Sequence, residues 1–198
     1  MFYIVALGNP GDKYADTRHN AGWQAIKYCL ERWGFSSPVE ASRFSGLISR
    51  GKLNGQEVVV LMPTTFMNNS GSAVAKLVPK DEIDRLIVLH DDVDLPLGQI
   101  KITKGRGAGG NNGVESIIKK MGNQNFIRVR IGIAPRSLLT GRVKRPRGGG
   151  PLERFVLKPF TAAERKKMEE VFVLVKAALE TILAGGVSKA MNEFNKNN

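Results

Sequence analysis

The chain is poor in the residues most often used for covalent chemistry. Of its 198 residues one is cysteine, Cys29, and two are histidine, His19 and His90. A single cysteine excludes an internal disulfide. No G-x-S-x-G segment is present, which excludes the serine elbow of the α/β-hydrolases. No cleavable apolar leader and no long apolar span is read in the chain, so the expectation is a soluble, cytoplasmic protein without a membrane. Acidic residues are scarce in one stretch. Residues 101–167 hold 17 basic side chains against three acidic ones (Glu115, Glu153, Glu164), while the remainder holds 13 basic and 15 acidic. The formal excess of +12 is therefore carried by one continuous third of the sequence. Charge so distributed suits a phosphate-bearing partner such as a nucleic acid, with a merely solvated basic face as the alternative.

With 42% hydrophobic residues, the chain can bury one sizeable core and is expected to form a single domain over 1–198. "FYIVAL" reads as a buried first strand, stopped by "GNPG". Ile26, Cys29, Leu30 and Trp33 then recur at i, i+3, i+4 and i+7, one helix face, until Gly34. "FSGLISRGKL" and "QEVVVLM" flank Asn54-Gly55, a hairpin signal. A helix is expected over about residues 69–78, followed by the strand "RLIVLH", the strand "GQIKITK", the helix "VESIIKKM" and the strand "FIRVRIGI". Residues 136–150, basic and ending in a glycine triplet, read as a flexible loop. Thr161 and Glu164 form a T-x-x-E box opening a helix expected to run to about Leu183, where Gly185-Gly186 ends it before a short last helix. Strands alternating with helices, plus one hairpin, predict an α/β fold: a mixed, twisted β-sheet covered by helices.

Polar residues gather at strand ends, where sites form in such folds. Asn9 follows the first strand, with His19 in the loop beyond it; Asn68 follows "MPTTFM", Asp91 follows "LIVLH", and Asn112 follows a glycine-rich run. A neutral imidazole can take a proton from water, and a carboxylate on its other nitrogen sets the tautomer and stabilises the cation. Amides add donors and acceptors without charge. Such a set can hydrolyse an ester by direct attack of water, with no cofactor and no metal. Two rival readings exist. "HDDVD" (90–94) places acids on alternate residues as Mg²⁺ ligands are, but Val93, Leu95 and Pro96 crowd it and no second acidic cluster accompanies it. "GRGAGG" (105–110) matches G-x-G-x-x-G, yet the acidic residue that a dinucleotide site needs about 20 positions on is replaced by Arg128 and Arg130. These glycines then serve either a close-approach turn facing an anion or carbonyl, or a turn needed only for packing.

The segments "ALGNPG" (6–11), "YADTRHNAG" (14–22), "PTTFMNNSG" (63–71), "LHDDVDLPLG" (89–98), "AGGNNG" (108–113) and "RVRIGI" (128–133) together resemble bacterial-type peptidyl-tRNA hydrolase, in order along the chain. The resemblance implies cleavage of the ester joining a peptide to the terminal ribose of tRNA, recycling tRNA from aborted translation, by a cofactor-free monomer. It implies that catalysis rests on His19, as general base on water, and on Asp91, which holds and polarises it. Substrate contacts are implied for Asn9, Tyr14, Phe66, Met67, Asn68 and Asn112. Asn9 would separate peptidyl-tRNA from unblocked aminoacyl-tRNA by touching a peptide carbonyl, and Asn112 would orient the water. The acceptor-end phosphates would meet Lys101, Lys104, Arg106 and Arg130. Three features depart from the family pattern, one being that the basic residue often found just before the glycine-rich run is here shared out among Lys101, Lys104 and Arg106. Where the family usually reads G-G-H-N-G, this chain has Asn111, so His19 alone is expected to set the acidic limb of the pH profile. The segment from Arg136 to Gly150 is longer and more basic than usual, with extra phosphate contacts expected there. A non-catalytic RNA-binding relative of the same fold is the alternative reading.

Overall fold

A computed structural model describes residues 1–136, 143–146 and 148–196. Strand β1 (Phe2–Ala6) is apolar on both faces because helices cover both. Helix α1 (Ala21–Trp33) ends at Gly34, which takes a left-handed cap. The edge strand β2 (Val39–Ala41) is three residues long, too short for periodicity to reveal. β3 (Gly46–Leu53) and β4 (Gln56–Pro63) form the expected hairpin, with Asn54 and Gly55 both at positive φ. α2 (Ser70–Leu77), β6 (Ile100–Lys104), α3 (Asn112–Met121) and β7 (Ile127–Ala134) follow as the patterning predicts, while β5 (Leu86–Pro96) runs on past the expected "RLIVLH" and takes in Asp91. A short helix that the patterning did not predict, α4 (Gly150–Val156), precedes the long α5 (Ala162–Phe194).

The seven strands make one mixed sheet in the order β2-β3-β4-β1-β5-β7-β6. Its centre, β4-β1-β5-β7, is parallel, and β2, β3 and β6 pair antiparallel at the margins. The two-residue alternation sorts side chains between two cores. Ile4, Val60, Leu89 and Val129 meet α1 and α5 on one face; Val5, Leu61, Val88 and Phe126 meet α2 and α3 on the other.

The glycine pair breaks α5 as expected, with Gly186 at φ 82 and ψ 166 separating a long arm from a short last one. The bend lets Asn195 bracket Ile102 on the edge strand β6, accepting from its N–H at 2.8 Å and donating to its carbonyl at 2.9 Å. The expectation of no long apolar span needs correction. α5 contains an 18-residue stretch of mean hydropathy 1.7, long and apolar enough by composition to cross a membrane. Val171, Val175, Ala178, Leu179 and Ile182 of α5 are buried in the core, and a third of that stretch is buried. The basic segment 136–150 lies partly outside the described residues, at 137–142 and 147. Within the described part, Arg136 forms an isolated antiparallel bridge with Val143.

Candidate active site

The start of α1 sits directly on the ends of β1 and β5. A Cβ at Gly22 would lie 2.6 Å from the Leu7 carbonyl oxygen and 2.7 Å from that of Leu89, so only glycine permits this approach. The 3₁₀ turn Arg18–Asn20, just before α1, is thereby held over Asp91. His19 Nδ1 lies 2.9 Å from Asp91 Oδ2. A carboxylate accepts, so Nδ1 carries the proton and Nε2 keeps the lone pair. Asp91, only 4% exposed, is gripped from its other side as well, where Asn111 Nδ2 donates to Oδ1 at 2.9 Å. Burial pushes the His19 imidazole toward a lower pKa, but the charge of Asp91 and the hydrogen bond to it prevail, and the net shift is upward.

Asn9 is held by three polar contacts. Its Oδ1 accepts from Met67 N–H at 2.9 Å, and its backbone exchanges hydrogen bonds with the fully buried Asn20, whose Oδ1 accepts from Asn9 N–H and whose Nδ2 donates to the Asn9 carbonyl. With the oxygen so engaged, Nδ2 is the free end of the carboxamide, unpartnered among the described residues. The contact with Met67 also draws the turn after β4 against the turn after β1.

Above these groups opens a cleft of about 570 Å³. Asn9, Tyr14, His19, Phe66, Met67, Asn68, Asp91 and Asn112 all line it. Phe66 is 61% exposed, an aromatic ring left at the cleft wall without cover. The far wall comes from α4, through Leu152, Glu153 and Val156. Lys101, Lys104, Arg106 and Arg130 do not line the cleft. They lie on β6, β7 and the loop beyond, with Lys101 directly opposite Arg130 in the ladder. Arg130 Nε donates to Asp92 Oδ2 at 2.6 Å, and Asp92 does line the cleft, so this ion pair joins the cleft to the basic strip.

The three acids of "HDDVD" are each engaged otherwise than as metal ligands. Asp91 serves His19 and Asn111, Asp92 serves Arg130 and the Asp94 N–H, and Asp94 lies 3.0 Å from Arg145. Among the described residues no cluster of three or more His, Cys, Asp or Glu side chains is placed to hold a metal. His90, the other histidine, is buried next to Asp91 in β5. Its Nδ1 donates to the Asp91 carbonyl at 2.8 Å, and burial pushes its pKa down, so it stays neutral. Cys29 is on the buried face of α1, and burial raises its thiol to about 12, which makes it inert.

Sequence reasoning missed three contributors. Asn20 stands at the N-cap position of α1, yet its side chain makes no cap bond and serves Asn9 instead. Arg18 is invisible as a strut because its partners lie far along the chain: it donates to the Lys158 and Pro159 carbonyls and to Glu164. Asn111 reads as the loss of a histidine, whereas its carboxamide contacts both Asp91 and the start of α3.

A family model described as peptidyl-tRNA hydrolase matches residues 3–198. A peptidyl-tRNA hydrolase of Thermodesulfovibrio yellowstonii is 40% identical over 203 residues, covering 99% of this chain and all of that protein. One of Haemophilus influenzae is 41% identical over 198 residues, covering 97% and 95% of the two chains. The crystal structure of peptidyl-tRNA hydrolase from Acinetobacter baumannii superposes with a TM-score of 0.86 at 31% identity, covering 99% of this chain and 95% of that one.

Proposed function

The chain belongs to the peptidyl-tRNA hydrolase family, and on that premise we propose that it hydrolyses the ester between peptide and tRNA through His19 acting as general base on water. The observation that carries the proposal is the 2.9 Å contact of His19 Nδ1 with the buried Asp91, in a cleft lined by neutral amides. With Nδ1 committed to Asp91, Nε2 is the nitrogen that takes a proton from water. The water oxygen bonds to the ester carbonyl carbon, the bond from that carbon to the ribose oxygen breaks, and the imidazolium returns its proton to the leaving ribose oxygen. Asp91 stays ionised and stabilises the imidazolium in between. No cofactor or metal is required for an ester.

The amides supply selectivity. Asn9 Nδ2, aimed by the bond of Oδ1 to Met67, donates to the first peptide carbonyl, an acceptor that unblocked aminoacyl-tRNA lacks. Asn112 orients the water, while Tyr14, Phe66, Met67 and Asn68 contact peptide and acceptor end. Lys101, Lys104, Arg106 and Arg130 lie where phosphates of the acceptor stem continue past the cleft. The protein acts as a cytoplasmic monomer in recycling tRNA from stalled translation. The non-catalytic RNA-binding alternative draws no support from these relatives, which are named for hydrolysis. The test is release of free tRNA from N-acetylaminoacyl-tRNA and from the unblocked form. Release from the first only is expected; equal release from both would refute the assigned selectivity.

A further inference from the structure

Asn111 touches the reaction's carboxylate on the side away from His19. Its Nδ2 donates to Asp91 Oδ1 at 2.9 Å and, at 3.3 Å, to the Asp91 carbonyl. Its Oδ1 accepts from the N–H groups of Gly113 and Val114, each at 3.1 Å, capping α3. Only one orientation of the carboxamide satisfies both ends, oxygen to the helix and nitrogen to Asp91. The two carboxylate oxygens of Asp91 therefore meet donors on opposite sides, His19 Nδ1 at Oδ2 and Asn111 Nδ2 at Oδ1, which holds the carboxylate plane. Asn112, the residue after the cap, is anchored by the same turn.

We infer that Asn111 is a positioning residue for the hydrolysis, clamping Asp91 at the angle that presents His19 Nε2 to water and tying that geometry to the start of α3. The inference rests on the reading of His19 as the base. An amide performs the clamp without a second titrating group. Among the described residues, Asp91 is the charged group acting on His19, and Asp92, Arg145 and Glu153 are the other charged residues lining the cleft. A carboxylate at position 111 would keep the cap oxygen, lose the donor and add a like charge beside Asp91.

The test compares Asn111→Ser and Asn111→Asp with wild type in kcat, KM and pH profile on N-acetylaminoacyl-tRNA, with thermal midpoints and the NMR titration of the His19 ring. Serine and aspartate both cap helices well, so a role confined to capping predicts wild-type values throughout. The clamp predicts that kcat falls roughly ten- to hundredfold in both variants, the scale of a hydrogen bond to a charged group, with KM near wild type. In Asn111→Asp the acidic limb and the His19 titration also move to higher pH. Wild-type kcat and titration in both variants, beside an inactive His19→Ala, would overturn this inference alone. Turnover retained in His19→Ala would instead remove the reading on which it rests.

Discussion

His19 is pulled in two directions, and the balance makes a prediction at the residue scale. Burial disfavours its cation, Asp91 favours it more strongly, and the pKa ends above the ordinary value of about 6.5. The base must be neutral to accept a proton, so kcat/KM is expected to fall about tenfold per pH unit below an acidic limb lying above that ordinary value. The pairing with Asp91 adds stability that is fully present below the unfolded histidine pKa and is lost as pH rises through the folded one. Asp91→Asn removes the attraction and leaves burial, so the limb should move to lower pH while kcat drops by roughly 10²–10⁴. A limb that stays in place in that variant would contradict the assignment. The contact of His19 with Asp91 was legible because their motifs are distinctive, although Asp91 lies within β5 and not past its end. Asn20 was not, since its worth lies in a reciprocal bond to Asn9 that no local pattern encodes. For Asn111 the departure from the family pattern says what is missing, and the geometry adds its hydrogen bonds to Asp91 and to the start of α3.

At the scale of elements, Arg18 joins the turn that carries His19 to the junction of α4 and α5. It donates to the Lys158 carbonyl at 3.1 Å, to the Pro159 carbonyl at 2.8 Å and to Glu164 at 2.7 Å, with the Phe155 and Phe160 rings 4.8 and 5.3 Å away. Glu164 also closes the capping box with Thr161, and these hydrogen bonds outweigh burial to hold its pKa below the usual carboxylate value. Lysine cannot reproduce the forked contacts, so Arg18→Lys should cost roughly 2–3 kcal/mol in urea unfolding. The difference from wild type should shrink as pH falls through the lowered Glu164 pKa, because the carboxylate partner is then protonated. An unfolding curve identical to wild type would show that the strut carries no stability. The capping box was readable as an i, i+3 pattern, whereas the Arg18 contacts span more than a hundred residues and were not.

At the scale of the whole molecule, the basic third of the sequence supplies the edge of the sheet beside the cleft. Lys101 and Arg130 face each other across the β6–β7 ladder, next to a cleft whose wall includes Asp91 and Asp92. Peptidyl-tRNA KM is expected to rise steeply with salt, and Lys104→Glu or Arg130→Glu to reduce the log–log slope by about one each with kcat largely kept. Unchanged slopes in both would place the tRNA on another face. The α/β class was legible from alternating strand and helix patterns. The strand order was not, because β1 lies between β4 and β5, a pairing set by long-range burial. The central claim is that His19 performs the chemistry without gripping the tRNA. Turnover of N-acetylaminoacyl-tRNA and tRNA affinity, measured side by side for wild type and His19→Ala, test it most directly. The account predicts loss of nearly all turnover with affinity little changed; wild-type-like turnover in His19→Ala would contradict it.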